Sequence, residues 1–461
     1  MEAILQQILL TIASFMLRPV PVVAFDLFIM GGWVIFAFGL LHAIDYLWVK
    51  EYKEPQAKSE FNWKLLAIDV PEENIQTPKA VEQMFSQLSG AYASKNIAMV
   101  YRQGFKQRKF SLEIVSIEGY IQFLIRTEEG LLDLTESAIY AQYPEARITE
   151  VEDYVDDVPG RYPNETHEIW TAEFTLTDPN VYPIRTYEDF EHQISEEEQF
   201  KDPMNSFLET FSRIKEGEQL WFQIVLKPVS DDWKKEGIEK VKDIIDADDV
   251  SSGNSVADVM NQFRDEAMGR ANEQQSSNDG PPNKMLYLTP GEQNLVEGIE
   301  DKITKPGFFC KIRGIYVARK EVYQYERGAN ALKGAVNQFN DPSKNSIKPE
   351  WTSDTSFLFA DWRSNYIKNT ILRNYKGRSR KRGIHYAILN VEELATLWHF
   401  PMRDVKTPMV QKSKEKQSEP PSGLPTEGMS SGTAPESILS GEENESETET
   451  KEESSEGRDF G

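Results

Sequence analysis

The chain has 461 residues and a formal net charge of −24, with 39% hydrophobic, 27% charged and 11% aromatic side chains. That apolar content supplies real cores and excludes wholesale disorder, while the acidic balance excludes a general nucleic-acid coat, which needs clustered Lys and Arg. The length has room for two or three domains, and the single cysteine, Cys310, excludes an intrachain disulfide and a cysteine-based zinc site and fits a reducing cytosol.

Residues 1–18 read as an amphipathic interfacial helix. Gln7, Thr11, Ser14 and Arg18 make one polar stripe, Leu5, Ile8, Leu9, Ile12 and Met16 the opposite face, and Pro19 and Pro21 end it. Fifteen apolar-rich residues are short for a crossing, so a helix lying in the interface is favoured. Were it to cross, the topology would be a hairpin.

Residues 22–49 read as a transmembrane helix. The stretch 27–44 has no formally charged side chain, and about 20 apolar residues cross the hydrocarbon core. Phe28, Trp33, Phe36, Phe38 and Leu41 supply the apolar surface, and Tyr46 and Trp48 stand where an interfacial aromatic belt belongs. Lys50, Lys53, Lys58 and Lys64 follow the span against Arg18 alone before it. The positive-inside rule then gives a single-pass protein of the cell membrane with its bulk in the cytoplasm.

Residues 60–155 carry the element order β-α-β-β-α-β of a ferredoxin-like fold. Strands are expected at 62–70, 110–117, 120–127 and 146–153. Helices are expected from Pro78, where Thr77 is a candidate cap, and over 130–143. Residues 165–405 read as a second α+β unit of related style. Its strands are expected at 168–177, 219–228 and 307–318, and its helices at 204–215, 231–245, 290–304 and 321–338. Thr289-Pro290-Gly291-Glu292 has the pattern of a capping box. Residues 246–284, rich in Ser, Asn, Asp, Gln and Gly, read as a disordered insertion. Residues 412–461, with 13 acidic and 5 basic side chains, read as a disordered acidic tail.

The chemistry search points away from an enzyme. No G-x-x-x-x-G-K-[ST] loop, G-x-S-x-G elbow or calcium loop occurs, and the five histidines, at 42, 167, 192, 385 and 399, show no ligand spacing. No catalytic residue, metal ligand or cofactor is assigned. One segment stands out against the acidic background: residues 373–382 carry Arg373, Lys376, Arg378, Arg380, Lys381 and Arg382. They follow an expected helix over 357–372 that brings Trp362 and Tyr366. Basic residues interleaved with aromatics suit nucleic acid or anionic lipid headgroups, and a solvated loop that balances nearby acids fits equally. Nucleic-acid contact would make binding salt-sensitive and weaker in an Arg378→Ala/Arg380→Ala/Lys381→Ala variant.

The stretches FSLEIVSIEGYIQFLIRT, ESAIYAQYPEARITEVEDY, GEQLWFQIVLKPVSDDW and ILNVEELATLWHFP, followed by EPPSGLP, carry a resemblance. Over residues 20–425 the chain resembles the membrane-anchored N-terminal region, itself a domain of uncharacterised function, of bacterial proteins related to type IV secretion and conjugation ATPases. In longer relatives a HerA/FtsK-like motor follows, and here the acidic tail stands in that place. The resemblance implies a non-catalytic, membrane-anchored accessory or scaffold protein of a type IV secretion-like or DNA-translocation assembly. Its protein partners would include a separately encoded motor ATPase. The alternative is a nucleic-acid-binding membrane protein that uses Arg373–Arg382.

Overall fold

The long apolar run near the N-terminus is not one continuous helix, and the break falls at Gly31. In a computed structural model, α1 (Val20–Leu27) passes through a turn over Phe28–Gly32 into α2 (Trp33–Tyr46), and Leu47–Lys53 continue as a wider π-type turn. Gly31 takes φ +147°, which an L side chain rarely adopts, so the helix expected over 22–49 is broken there. Among the described residues, the helix long and apolar enough to cross a membrane is Trp33–Lys53, 21 residues. At 1.5 Å per residue it reaches about 30 Å, the thickness of the hydrocarbon core.

The described residues are 19–53, 62–71, 74–94, 96–104, 107–191, 202–245, 288–356, 358–380 and 383–402. The expected helix over 1–18, the insertion 246–284 and the tail 412–461 lie outside them.

Beyond the apolar helix the chain is mixed α+β around one large antiparallel sheet. Its strands are β1 (Trp63–Asp69), β2 (Phe110–Ile117), β3 (Tyr120–Glu128), β4 (Arg147–Glu150), β5 (His167–Leu176), β6 (Glu218–Pro228), β7 (Gly307–Arg319), β8 (Ile347–Thr352) and β9 (Ala387–Asn390). They lie in the order β4-β1-β3-β2-β6-β7-β5-β8, with β9 on β7. The two expected α+β units therefore share a sheet. The join is the pairing of β2 with β6 along its whole length, from Phe110 opposite Leu226 to Ile117 opposite Gln219. Both strands are buried on both faces along most of their length, so neither is suited to standing as a free edge of the sheet.

The halves repeat one topology. Read outward from the join, β2-β3-β1-β4 and β6-β7-β5-β8 have the same order and the same antiparallel neighbours. Glu113 sits opposite Gln223 near the middle of the joint.

Alternation along the strands makes two buried faces. On one, Leu66, Ile68, Leu112, Ile114, Phe222 and Ile312 pack under α3 (Pro78–Ser89), α5 (Leu132–Gln142), α7 (Pro203–Ser212), α10 (Ala331–Asn337) and α12 (Val391–Leu397). On the other, Leu65, Ala67, Val115, Leu124, Trp221 and Ile315 pack under Tyr154, Val155 and α11 (Ala360–Lys376). Each such side chain contributes about 1.5–3 kcal/mol on burial. A third cluster lies between α8 (Lys234–Ile245) and α9 (Pro290–Thr304). The capping box of α9 forms, with Thr289 Oγ1 accepting from Glu292 N at 3.3 Å and Glu292 Oε2 from Thr289 N at 2.9 Å. Thr77 occupies the cap position of α3, yet its side chain makes no capping hydrogen bond.

Candidate functional site

The basic segment ends up over the polar centre of the second face. Helix α11 extends through Lys376, four residues beyond its expected end, and the chain then crosses the sheet before β9. Under this crossing the strands present a row of opposed residues, Glu113 on β2, Gln223 on β6, Arg313 on β7 and Glu173 on β5. All four are fully buried.

Arg378 turns inward onto this row. Its guanidinium grips Glu113 in bidentate fashion (Nε–Oε1 3.0 Å, Nη2–Oε2 3.1 Å) and also binds Asp153 (Nη2–Oδ1 2.8 Å). Glu113 accepts further from Ser111 (2.6 Å), Tyr154 (2.8 Å) and Gln223 (3.0 Å). The Tyr154 and Tyr375 hydroxyls meet at 2.7 Å. Arg313 joins Gln223 (3.2 Å) to Glu173 (2.8 Å), and Glu173 accepts from Ile384 N (2.9 Å). Lys109, Arg313 and Lys311 donate to the carbonyls of Arg378, Ser379 and Ile384 in turn, so three cations, two of them buried, hold the crossing segment by its backbone. Gly383, at φ +98°, passes so close to Glu173 that a Cβ there would meet the carboxylate at 1.9 Å.

The electrostatics follow from this wiring. Burial opposes the charge on Glu113, but Arg378 and the Ser111 and Tyr154 hydroxyls outweigh it and hold the carboxyl below its ordinary value. Burial likewise opposes the charge on Arg378, and Glu113 and Asp153 outweigh it, so its pKa is raised. Burial prevails at Arg313 and Lys311, whose pKa values are lowered. It also pushes up the Tyr154 and Tyr375 hydroxyls, with Glu113 adding to the effect. The result is a clamp of opposed charges between the crossing segment and the sheet, built on Arg378 with Glu113 and Asp153 and on Arg313 with Glu173.

The expected contact residues therefore scatter. Arg378 is internal and has no face to offer a phosphate, which corrects its assignment as a surface contact. Lys376 donates to Val158 O at 3.3 Å, and Arg380 lies half-buried over the Phe309 and Tyr386 rings at 5.8 and 5.9 Å. Arg373 is exposed. Lys381 and Arg382 lie outside the described residues. Phe28, Trp33, Phe36, Phe38, Leu41, Tyr46 and Trp48 are all exposed on the N-terminal helix.

At the other end of α11 a separate apolar surface appears. Leu358, Phe359, Trp362 and Tyr366 are exposed, and the Trp362 and Tyr366 rings stack at 6.0 Å. Phe359 holds φ +58°, a left-handed backbone that costs a non-glycine residue about 1–2 kcal/mol. An open cleft of about 430 Å³ is lined by the carboxylates of Glu188, Asp189, Glu297, Asp301, Asp341 and Glu392 with Lys302 and Lys344. Burial raises the Glu188 and Asp301 carboxyls there. Among the described residues no cluster of His, Cys, Asp and Glu is arranged to hold a metal ion. Cys310 is buried in β7, and burial pushes its thiol up, away from a nucleophile. His399 is also internal, bonded to Asp202 (2.7 Å) and to Ala395 O (2.7 Å).

Sequence reasoning missed the row itself. Its signal was a charged residue at an inward position of an otherwise apolar strand, Glu113 within FSLEIVSI and Arg313 within CKIRGIYV.

Residues 50–413 match a protein family described as a domain of unknown function (DUF8128). No curated protein matches the chain.

Proposed function

We propose that this chain, which belongs to the DUF8128 family, is a membrane-anchored, non-catalytic accessory or scaffold protein whose α+β body docks partner subunits beside the bilayer. The carrying observation is the helix Trp33–Lys53, long and apolar enough to cross a membrane, with no charged side chain from Trp33 to Ile44 and no buried residue in α2. Such a helix is satisfied by lipid rather than by water. Lys50, Lys53, Lys58 and Lys64 favour a single pass with the body in the cytoplasm. The exposed surface Leu358, Phe359, Trp362 and Tyr366 supports protein docking, since contiguous apolar patches mark interaction sites. The resemblance in sequence favours a bacterial type IV secretion-like or DNA-translocation assembly, with a separately encoded motor ATPase as the partner to seek. The repeated strand order supports reading each half as a ferredoxin-like unit. In fractionation of cells expressing the full chain, the protein is expected in the membrane pellet, resistant to alkaline carbonate and released by detergent. Appearance in the supernatant without detergent overturns the anchor.

A second reading, nucleic-acid contact, is favoured by the stacked Trp362–Tyr366 pair on the same helix as Arg363 and Arg373. Base stacking on an aromatic ring contributes about 1–3 kcal/mol. A Trp362→Ala/Arg373→Ala variant is then expected to bind single-stranded DNA or RNA roughly tenfold or more weakly at fixed salt. Equal affinity in a filter-binding titration removes this reading.

A further inference from the structure

The end of the apolar helix is not free. Trp48 Nε1 donates to the Tyr101 carbonyl at 3.0 Å, and the Tyr101 hydroxyl donates to Asp45. Both contacts are made by α4 (Ile97–Gln103), a short helix that no sequence pattern had marked. Asn96 starts it, accepting from Ala98 N at 3.0 Å, and Gly104 stops it at φ +70°. Val49, beside Trp48, is buried.

The body has no structural use for the outer face of α4. None of its described side chains is buried; Ile97 (78% exposed) and Tyr101 (45%) share one side of the helix, and Met99 (44%) stands on the other. Two observations say what covers these residues. First, α4 is bonded to the aromatic end of the apolar helix, where Tyr46, Leu47, Trp48 and Tyr52 are also exposed, so its apolar face continues that surface. Tryptophan and tyrosine at the end of a span sit at headgroup depth. Second, cations flank the junction: Lys53 lies 5.4 Å from the Trp48 and Tyr52 rings, and Arg102 is exposed on α4. Apolar residues beside cations match the boundary between acyl chains and anionic headgroups.

We infer that α4 is an interfacial foot: Ile97 and Tyr101, one turn apart on the same side of the helix, enter the headgroup boundary of the bilayer and hold the body in a fixed stance against the membrane. This rests on reading Trp33–Lys53 as a span. The foot makes two points of attachment where the helix alone would leave the body on a swivel. Tyr101 also gives Asp45, at the end of the apolar stretch, a partner.

The test uses the full chain in phosphatidylcholine–phosphatidylglycerol vesicles. Cys310 is buried, so a cysteine introduced at the surface takes an environment-sensitive fluorophore selectively. Three variants are labelled: Phe38→Cys in the span, Ile97→Cys on α4, and Glu209→Cys on α7, which packs at the end of β2 remote from α4 through the Ser116–Phe211 hydrogen bond. Lipids with a spin label near the headgroup are expected to quench the Ile97 probe by roughly half or more. Deep-labelled lipids quench the Phe38 probe, and neither lipid affects the Glu209 probe. If the Ile97 probe behaves like Glu209 while Phe38 is quenched, the foot is overturned and the span stands. If neither is quenched, both fall.

Discussion

Replacing Arg378 by Ala is expected to lower the unfolding free energy by about 3–5 kcal/mol, because it leaves a buried carboxylate without its cation. Glu113 keeps Ser111, Tyr154 and Gln223, three neutral donors to a fully buried carboxylate. Arg378→Lys keeps the charge but not the two-pronged grip on Glu113, so an intermediate loss follows. Denaturant titration of the detergent-solubilised chain reads both, and an Arg378→Ala loss under about 1 kcal/mol would mean that the network does not hold the crossing segment. The pH dependence has a definite sign. The folded Glu113 carboxyl lies below its ordinary value of about 4.3, so its stabilisation is fully present above that pH and is lost as the pH falls through the folded value. The acid sensitivity from this residue should disappear in Arg378→Ala.

Lys302→Met is the second large effect and runs the other way with pH. Lys302 and Glu393 are both completely buried and pair at 3.0 Å, with Lys302 also donating to Tyr182 O at 3.1 Å. Here burial prevails over the attraction: Lys302 is lowered and Glu393 raised. Removing the lysine strands Glu393 as a buried charge, for an expected loss of about 3–5 kcal/mol at neutral pH. A carboxyl whose folded pKa is raised costs stability above that pKa, and the cost fades as the pH falls through it toward about 4.3. The deficit of Lys302→Met should therefore shrink in mild acid. Adding Glu393→Gln should recover part of it at neutral pH, since one amide oxygen can still accept from Ile184 N or Asn390 N. A deficit that grows on acidification would contradict this account.

Local chemistry made much of the fold legible. Strands such as Phe110–Ile117 and Glu218–Pro228 announce themselves through apolar and β-branched runs, and α9 through its capping box. What stayed hidden was either polar or non-local. β8 reads Ile-Lys-Pro-Glu-Trp-Thr and offers no apolar run, and α4 is one short exposed turn pair. The β2–β6 pairing joins residues more than 100 apart, and nothing in either strand names its partner. The basic segment misled because sequence shows charge but not direction. Arg378 points into the sheet, and its partners Glu113 and Asp153 are 265 and 225 residues away.

The ends of the sheet set the terms on which anything can join this protein. β4 is four residues long, and β8 carries Pro349 between Lys348 and Glu350. Neither gives an incoming backbone a full ladder to zip onto. The strands that would be open flanks of an isolated half, β2 and β6, already close on each other. Strand addition at either of these two ends is thereby disfavoured. That leaves side chains on helices and loops, rather than these sheet edges, as the surface on which copies of the chain could meet without knitting into fibrils.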